Sequence, residues 1–158
     1  MRNFTLHKFL AMLLMAVCSA TLSVAQNVAK INSTEYATLQ EAVNSVAPGG
    51  KGYIYILADA SFDDLRIEGK QIIINLQNHT VTGNKIDVYG TEGTDTYLKI
   101  LDAKAKGLSV DAKNNYKVSY TKSGTLELTG SIRAYNGAGI KVESGTVVST
   151  QSVALFAV

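Results

Sequence analysis

The chain has little of what cross-links, kinks or catalyses. It carries one cysteine (Cys18), one proline (Pro48), no tryptophan and two histidines, His7 and His79. A lone thiol excludes a disulfide framework and a cysteine-built zinc site. A single proline leaves nearly every backbone N–H free to pair. The longest apolar run, Phe9 to Val17, falls short of the roughly 20 residues that a membrane-spanning helix needs. An excess of one charge is missing too. With 15 basic and 13 acidic side chains there is no basic field to draw nucleic acid or anionic lipid.

What is present begins with a targeting segment. Arg2 and Lys8 flank the start of that apolar run, and small residues follow as far as Ser23 and Ala25. This is the layout of a secretory signal peptide over residues 1–25, cut after Ala25. Val17 stands where a lipid-attachment signal needs a small residue before Cys18. Cleavage removes Arg2, Lys8, His7 and Cys18, so the chain from residue 26 onward is nearly neutral and has no thiol. The expected location is secreted or cell surface, with stability drawn from burial and backbone pairing. Asn32-Ser-Thr and Asn78-His-Thr are glycosylation sequons that matter only in a eukaryotic secretory pathway.

One helix is expected, at about residues 38–47. Thr38 and Glu41 form a capping box, and Leu39, Ala42, Val43, Val46 and Ala47 make an apolar stripe ended by Pro48-Gly49-Gly50. After it come short segments in which apolar and polar residues alternate, such as "GYIYIL", "LRIEG", "IIINL", "IDVYG", "YLKIL", "YKVSY", "GTLELTG" and "SIRAYN". That period of two marks strands with one buried face. A repeat organises them. "GTLELTGSIRAYN" from Gly124 and "GTVVSTQSVALFA" from Gly145 align without a gap, placing Leu126 on Val147, Thr129 on Thr150, Ile132 on Val153 and Ala134 on Leu155. A weaker echo pairs Leu76 with Ile100. Repeats that cannot bury their own apolar faces stack into solenoids, and strand-only repeats give β-helices. The expected fold is therefore all-β: a parallel β-helix of four or five coils over residues 26–158, with a capping α-helix.

The order "ATLQEAVNSV…GGKGYIYIL…GKQIIINLQNHTVTG…GTLELTGSI…GIKVESGTVV" resembles secreted right-handed parallel β-helix proteins of the pectin-lyase-like superfamily, many of them bacterial surface or secreted proteins. The resemblance implies right-handed coils behind an N-terminal cap helix. The motifs are short, and one departs from the pattern. Where the family has Asn-Gly-His-Thr, this chain has Gln77-Asn78-His79-Thr80. Asn tolerates the left-handed backbone best among non-glycine residues, so Asn78 can turn the corner. His79 then reads as a turn residue and not as a catalytic one, because no acid or nucleophile lies near it in sequence.

Other chemistry finds little support. Asp63-Asp64 is a carboxylate pair expected in a loop, with the two side chains pointing opposite ways if the segment is extended. Some hydrolases of the resembled superfamily use paired aspartates together with an Arg-x-Lys element, of which "SIRAYN" has only the Arg. Asp87, Asp95, Asp102 and Asp111 could hold calcium, but their spacing matches no loop motif. No catalytic residue, metal ligand or cofactor is assigned. Alternation puts Tyr116 and Tyr120 in the core with Val118, and turns Tyr89, Tyr97, Arg133 and Tyr135 outward. Outward aromatics on a flat flank are the expected glycan contacts. The expected function is a non-catalytic extracellular or cell-surface module that binds glycans, or an adhesion stalk. The alternative is the N-terminal part of a polysaccharide lyase or glycoside hydrolase. The uncharged end "VALFAV" suggests a chain cut short at its C-terminus and prone to self-association through an uncapped last coil.

Overall fold

The computed structural model describes residues 26–103, 107–110, 116–119, 123–150 and 155–157. Residues 1–25, where a signal segment is expected, and Asp111 lie outside the described residues, and so does the core stacking expected of Tyr116, Val118 and Tyr120. No helix among the described residues is long and apolar enough to cross a membrane.

The helix forms where its local signals place it. Helix α1 is Leu39–Ser45, and both arms of the capping box are made: the Glu41 N–H donates to Thr38 Oγ1 at 3.1 Å and the Thr38 N–H donates to Glu41 Oε2 at 3.2 Å. Leu39, Ala42 and Val43 are buried, as is Val46 at the C-cap. Ala47 lies past the end of the helix and is exposed.

Two sheets enclose the core. The first contains β1 (Ala29–Ile31), β2 (Thr34–Tyr36), β3 (Lys51–Ile56), β5 (Gln71–Asn75), β7 (Tyr97–Leu101) and β12 (Gly139–Val142), in the order β12-β7-β5-β3-β1-β2. Its pairs from β3 to β12 are parallel, while β1 runs antiparallel to both β2 and β3. The second sheet is parallel. It is built on β6 (Thr80–Tyr89), with β4 (Ala60–Glu68) along one side. On the other side β10 (Thr125–Leu128) pairs residues 80–83 and β11 (Ile132–Tyr135) pairs residues 86–89. Strand β13 (Thr146–Ser149) pairs β10, and β14 (Leu155–Ala157) pairs β11. Strands β8 (Gly107–Val110) and β9 (Tyr116–Ser119) form a separate antiparallel pair.

This architecture corrects the expected all-β right-handed parallel β-helix. The chain is mixed α/β with one mixed and one parallel sheet, and no closed solenoid forms among the described residues. Two features account for the difference. The first sheet opens with an antiparallel hairpin, which a stack of parallel coils does not contain. Strand β6 serves two strands in line, so "HTVTG" and "IDVYG" are not separate rungs but one ten-residue strand. The two partners meet near Gly83-Asn84, β10 pairing residues 80–83 and β11 residues 86–89. There Asn84 donates to Asp64 at 2.8 Å, accepts from Thr129 Oγ1 at 3.0 Å, and its carbonyl accepts from Gly130 N–H at 2.7 Å. The 21-residue offset holds along β10, from Thr125 opposite Thr146 to Leu128 opposite Ser149, but not on β11, where Ile132 pairs Leu155 and not Val153. Likewise Ile100 lies opposite Ile74, not Leu76.

Between the sheets, residues in register form aliphatic rows: Ile54, Ile74 and Ile100 on one side, Leu65, Ile86 and Ile132 on the other. All six are buried to within 2 %. Each such side chain contributes about 1.5–3 kcal/mol on leaving water. Helix α1 closes the N-terminal end of this core, packing on β4 and on the β1–β3 region.

Candidate functional site

The outer face of the second sheet carries three of the four outward residues singled out above. Register places Arg66, Asp87 and Arg133 in one row and Glu68, Tyr89 and Tyr135 in the next. Arg133 makes a two-pronged contact with Asp87, Nε to Oδ1 at 2.9 Å and Nη2 to Oδ2 at 3.2 Å. Lys85 lies 3.2 Å from Asp64 and 3.6 Å from Asp87, and Arg66 donates to Glu68 at 2.9 Å and 3.1 Å. Each cation is held in its charged form, its pKa raised chiefly by the hydrogen bond to its carboxylate: Glu68 for Arg66, Asp64 for Lys85 and Asp87 for Arg133. Arg66, Lys85 and Arg133 are thus matched by Asp64, Glu68 and Asp87, and the strip is charge-compensated.

The tyrosines add a stack. The rings of Tyr89 and Tyr135 lie 4.7 Å apart at 9° to one another. The Arg66 guanidinium sits 4.1 Å over the Tyr89 ring, and that of Arg133 lies 5.7 Å from the Tyr135 centroid. Both residues point outward, as alternation requires, but the faces of Tyr89 are taken by Arg66 and Tyr135. Tyr97 is not part of the strip. It lies half-buried on β7 of the first sheet, in register with Gln71 and Gly139.

His79 ends a turn. Its N–H donates to the Leu76 carbonyl at 2.9 Å, and Gln77 and Asn78 between them have φ of 53° and 66°. The left-handed backbone expected at Asn78 is therefore present, and Gln77 shares it. Two buried polar side chains brace the turn. Asn75 Oδ1 accepts from the N–H groups of Gln77 and Ala103, and Asp102 accepts from those of Asn78 and Gly124. The fold also supplies what was not visible near His79 in sequence, an acid. Asp59 Oδ1 lies 3.4 Å from His79 Nδ1 and accepts from Thr80 N–H at 2.9 Å.

The aspartates are dispersed. Asp63 and Asp64 lie within β4, not in a loop. Asp87 is committed to Arg133 and Lys85, Asp95 accepts from Gln71, and Asp102 holds backbone N–H groups. No group of three or more His, Cys, Asp or Glu converges among the described residues. Arg66 and Glu68 went unnoticed in the sequence, although their alternation with Leu65 and Ile67 in "LRIEG" marks them as outward. The chain matches no family model, no curated protein and no solved structure.

Proposed function

We propose that the protein is a non-catalytic extracellular or cell-surface module that binds neutral glycans. The observation that carries this reading is the charge-compensated strip of Asp64, Arg66, Glu68, Lys85, Asp87 and Arg133 with the Tyr89–Tyr135 stack, held in register by three parallel strands. Planar donors and acceptors in fixed rows suit the vicinal hydroxyls of a sugar chain, and the balanced charge selects against strongly ionic ligands. Parallel pairing makes the strip rigid, so little order has to be imposed when a ligand binds. Export by the signal segment would place it where polysaccharides are met. The exposed apolar residues Val142 and Val148 on β12 and β13 support an additional contact of the protein with itself.

The test is a glycan-array screen of the chain from residue 26, followed by titration with any hit. Binding of neutral glycans that weakens about tenfold in Arg133→Ala, as for an interface hot spot, supports the reading. Release of reducing ends from a polysaccharide would instead favour the lyase or hydrolase alternative.

A further inference from the structure

We infer that a second, stacking site for a neutral pyranose lies in the cleft at the start of β6, at the opposite end of that strand from the tyrosine stack. The inference rests on the glycan-binding reading but concerns other residues. Lys30, Asn32, Tyr55, Gln77 and His79 line a cavity of about 370 Å³. Gln77 and His79 continue into a neighbouring depression of about 650 Å³ walled by Asp59. Among the described residues, Tyr55 is the one large aromatic side chain that is exposed, at 40 %. Tyr53 backs it, with ring centroids 4.7 Å apart at 39°.

The difference from the strip is chemical. A site that holds a pyranose by stacking needs an aromatic ring with an accessible face, with polar groups beside it for its hydroxyls. Tyr89 has both faces occupied, whereas Tyr55 contributes its ring to an open cleft. The cleft that holds Tyr55 is also lined by two amides, an imidazole and an ammonium, and the adjoining depression adds the Asp59 carboxylate beside His79. Together they supply both donors and acceptors. Binding sites combine an apolar wall with a few placed polar groups in this way.

The cleft is also pre-organised. Asn75, 1 % exposed, donates to the Tyr53 hydroxyl at 3.2 Å and accepts from the Gln77 N–H. One buried side chain thus positions both the residue that backs Tyr55 and the turn that carries Gln77 and His79. Asp102 fixes the other half of that turn through Asn78. Rigid support of this kind is what a binding constellation requires.

The experiment is NMR titration of the isotope-labelled chain from residue 26 with cellohexaose and mannohexaose, repeated on Tyr55→Ala, Gln77→Ala and Tyr135→Ala. Circular dichroism melting checks that each variant is folded. We expect amide shifts at residues 55 and 77–80. The affinity read from those shifts, which report this site alone, should fall about tenfold in Tyr55→Ala, by less in Gln77→Ala, and under twofold in Tyr135→Ala, as expected when one central aromatic anchor dominates. Binding that survives Tyr55→Ala and is lost in Tyr135→Ala would overturn this site while leaving the glycan-binding reading intact. Shifts in neither region, with no hexasaccharide bound, would overturn both.

Discussion

Asn78 was legible in the sequence because its conformation is a local matter: a turn that lacks glycine needs the residue best able to adopt φ above zero. Gln77 was not, since glutamine has no such preference and is held at 53° by the Asn75 side chain beneath it. Asn78→Val should therefore cost about 1–3 kcal/mol, the range for a β-branched residue forced into the left-handed region. His79→Ala, at a partly exposed position, should change stability by about 0.5 kcal/mol or less. Calorimetric melting of the two variants side by side checks this, and equal losses would refute the turn as the source of the difference. Asp102 gives a second contrast. It is 1 % exposed and accepts from the N–H groups of Asn78 and Gly124, two segments far apart in the chain. Asp102→Ala leaves those donors unpaired, at about 1–3 kcal/mol for each buried group. In the sequence it stood among four aspartates that could hold calcium although their spacing matched no loop motif, because a carboxylate that ties backbone together looks no different from one that binds an ion until the fold is known.

Among the elements, α1 was the most legible, because capping box, stripe and stop all lie within fifteen consecutive residues. Val43 is 1 % exposed in the cluster that closes the core. Val43→Asp should destabilise by about 3 kcal/mol or more, since a carboxylate would be buried without a partner. Limited proteolysis reads the loss, and cleavage no faster than wild type would remove α1 as a closing element. The helix also guards an edge in a way the stripe did not reveal. Gln40 Oε1 accepts from the Arg66 N–H at 3.0 Å, and its Nε2 donates to the Arg66 carbonyl at 3.2 Å, so one amide side chain stands in for a neighbouring strand along β4. The last strand of the first sheet shows an electrostatic counterpart. Lys141, and after it Lys99, hold the Glu143 carboxyl below its ordinary range. A depressed folded pKa means that this stabilisation is complete above the unfolded value and is lost as pH falls through the folded one. The Glu143 side-chain carbon signal should accordingly titrate at lower pH than in Lys141→Met, and coincident curves would dismiss the pairing.

For the whole molecule, strand existence and facing were legible and strand partnership was not. Alternation predicts that Tyr89 and Tyr135 point outward, yet only the register of β11 on β6 reveals that they stack on one another. The repeat predicted the pairing of β10 with β13, but a repeat cannot show that β6 accepts two strands in line, so a coil was expected where two sheets form. The same topology makes the two ends of the core unlike. At one end α1 and the β1–β2 hairpin cover it. At the other, among the described residues, β12 pairs only β7 and β13 pairs only β10. Burial falls off toward that side: Ile100 is fully buried, whereas Val142 opposite it is 39 % exposed, and Val148 on β13 is 43 % exposed. Outermost strands that carry exposed valine invite another strand. A lysine on such an edge opposes pairing through charge and hydration without touching the buried rows. The chain from residue 26 should therefore self-associate at micromolar concentration, and the double variant Val142→Lys/Val148→Lys should sediment as a monomer with an unchanged far-ultraviolet dichroism spectrum. Sedimentation velocity decides it. If the unaltered protein is already a monodisperse monomer, the edges are protected in solution and self-pairing through them is wrong. If the double variant associates as strongly as the parent, the contact lies elsewhere on the surface.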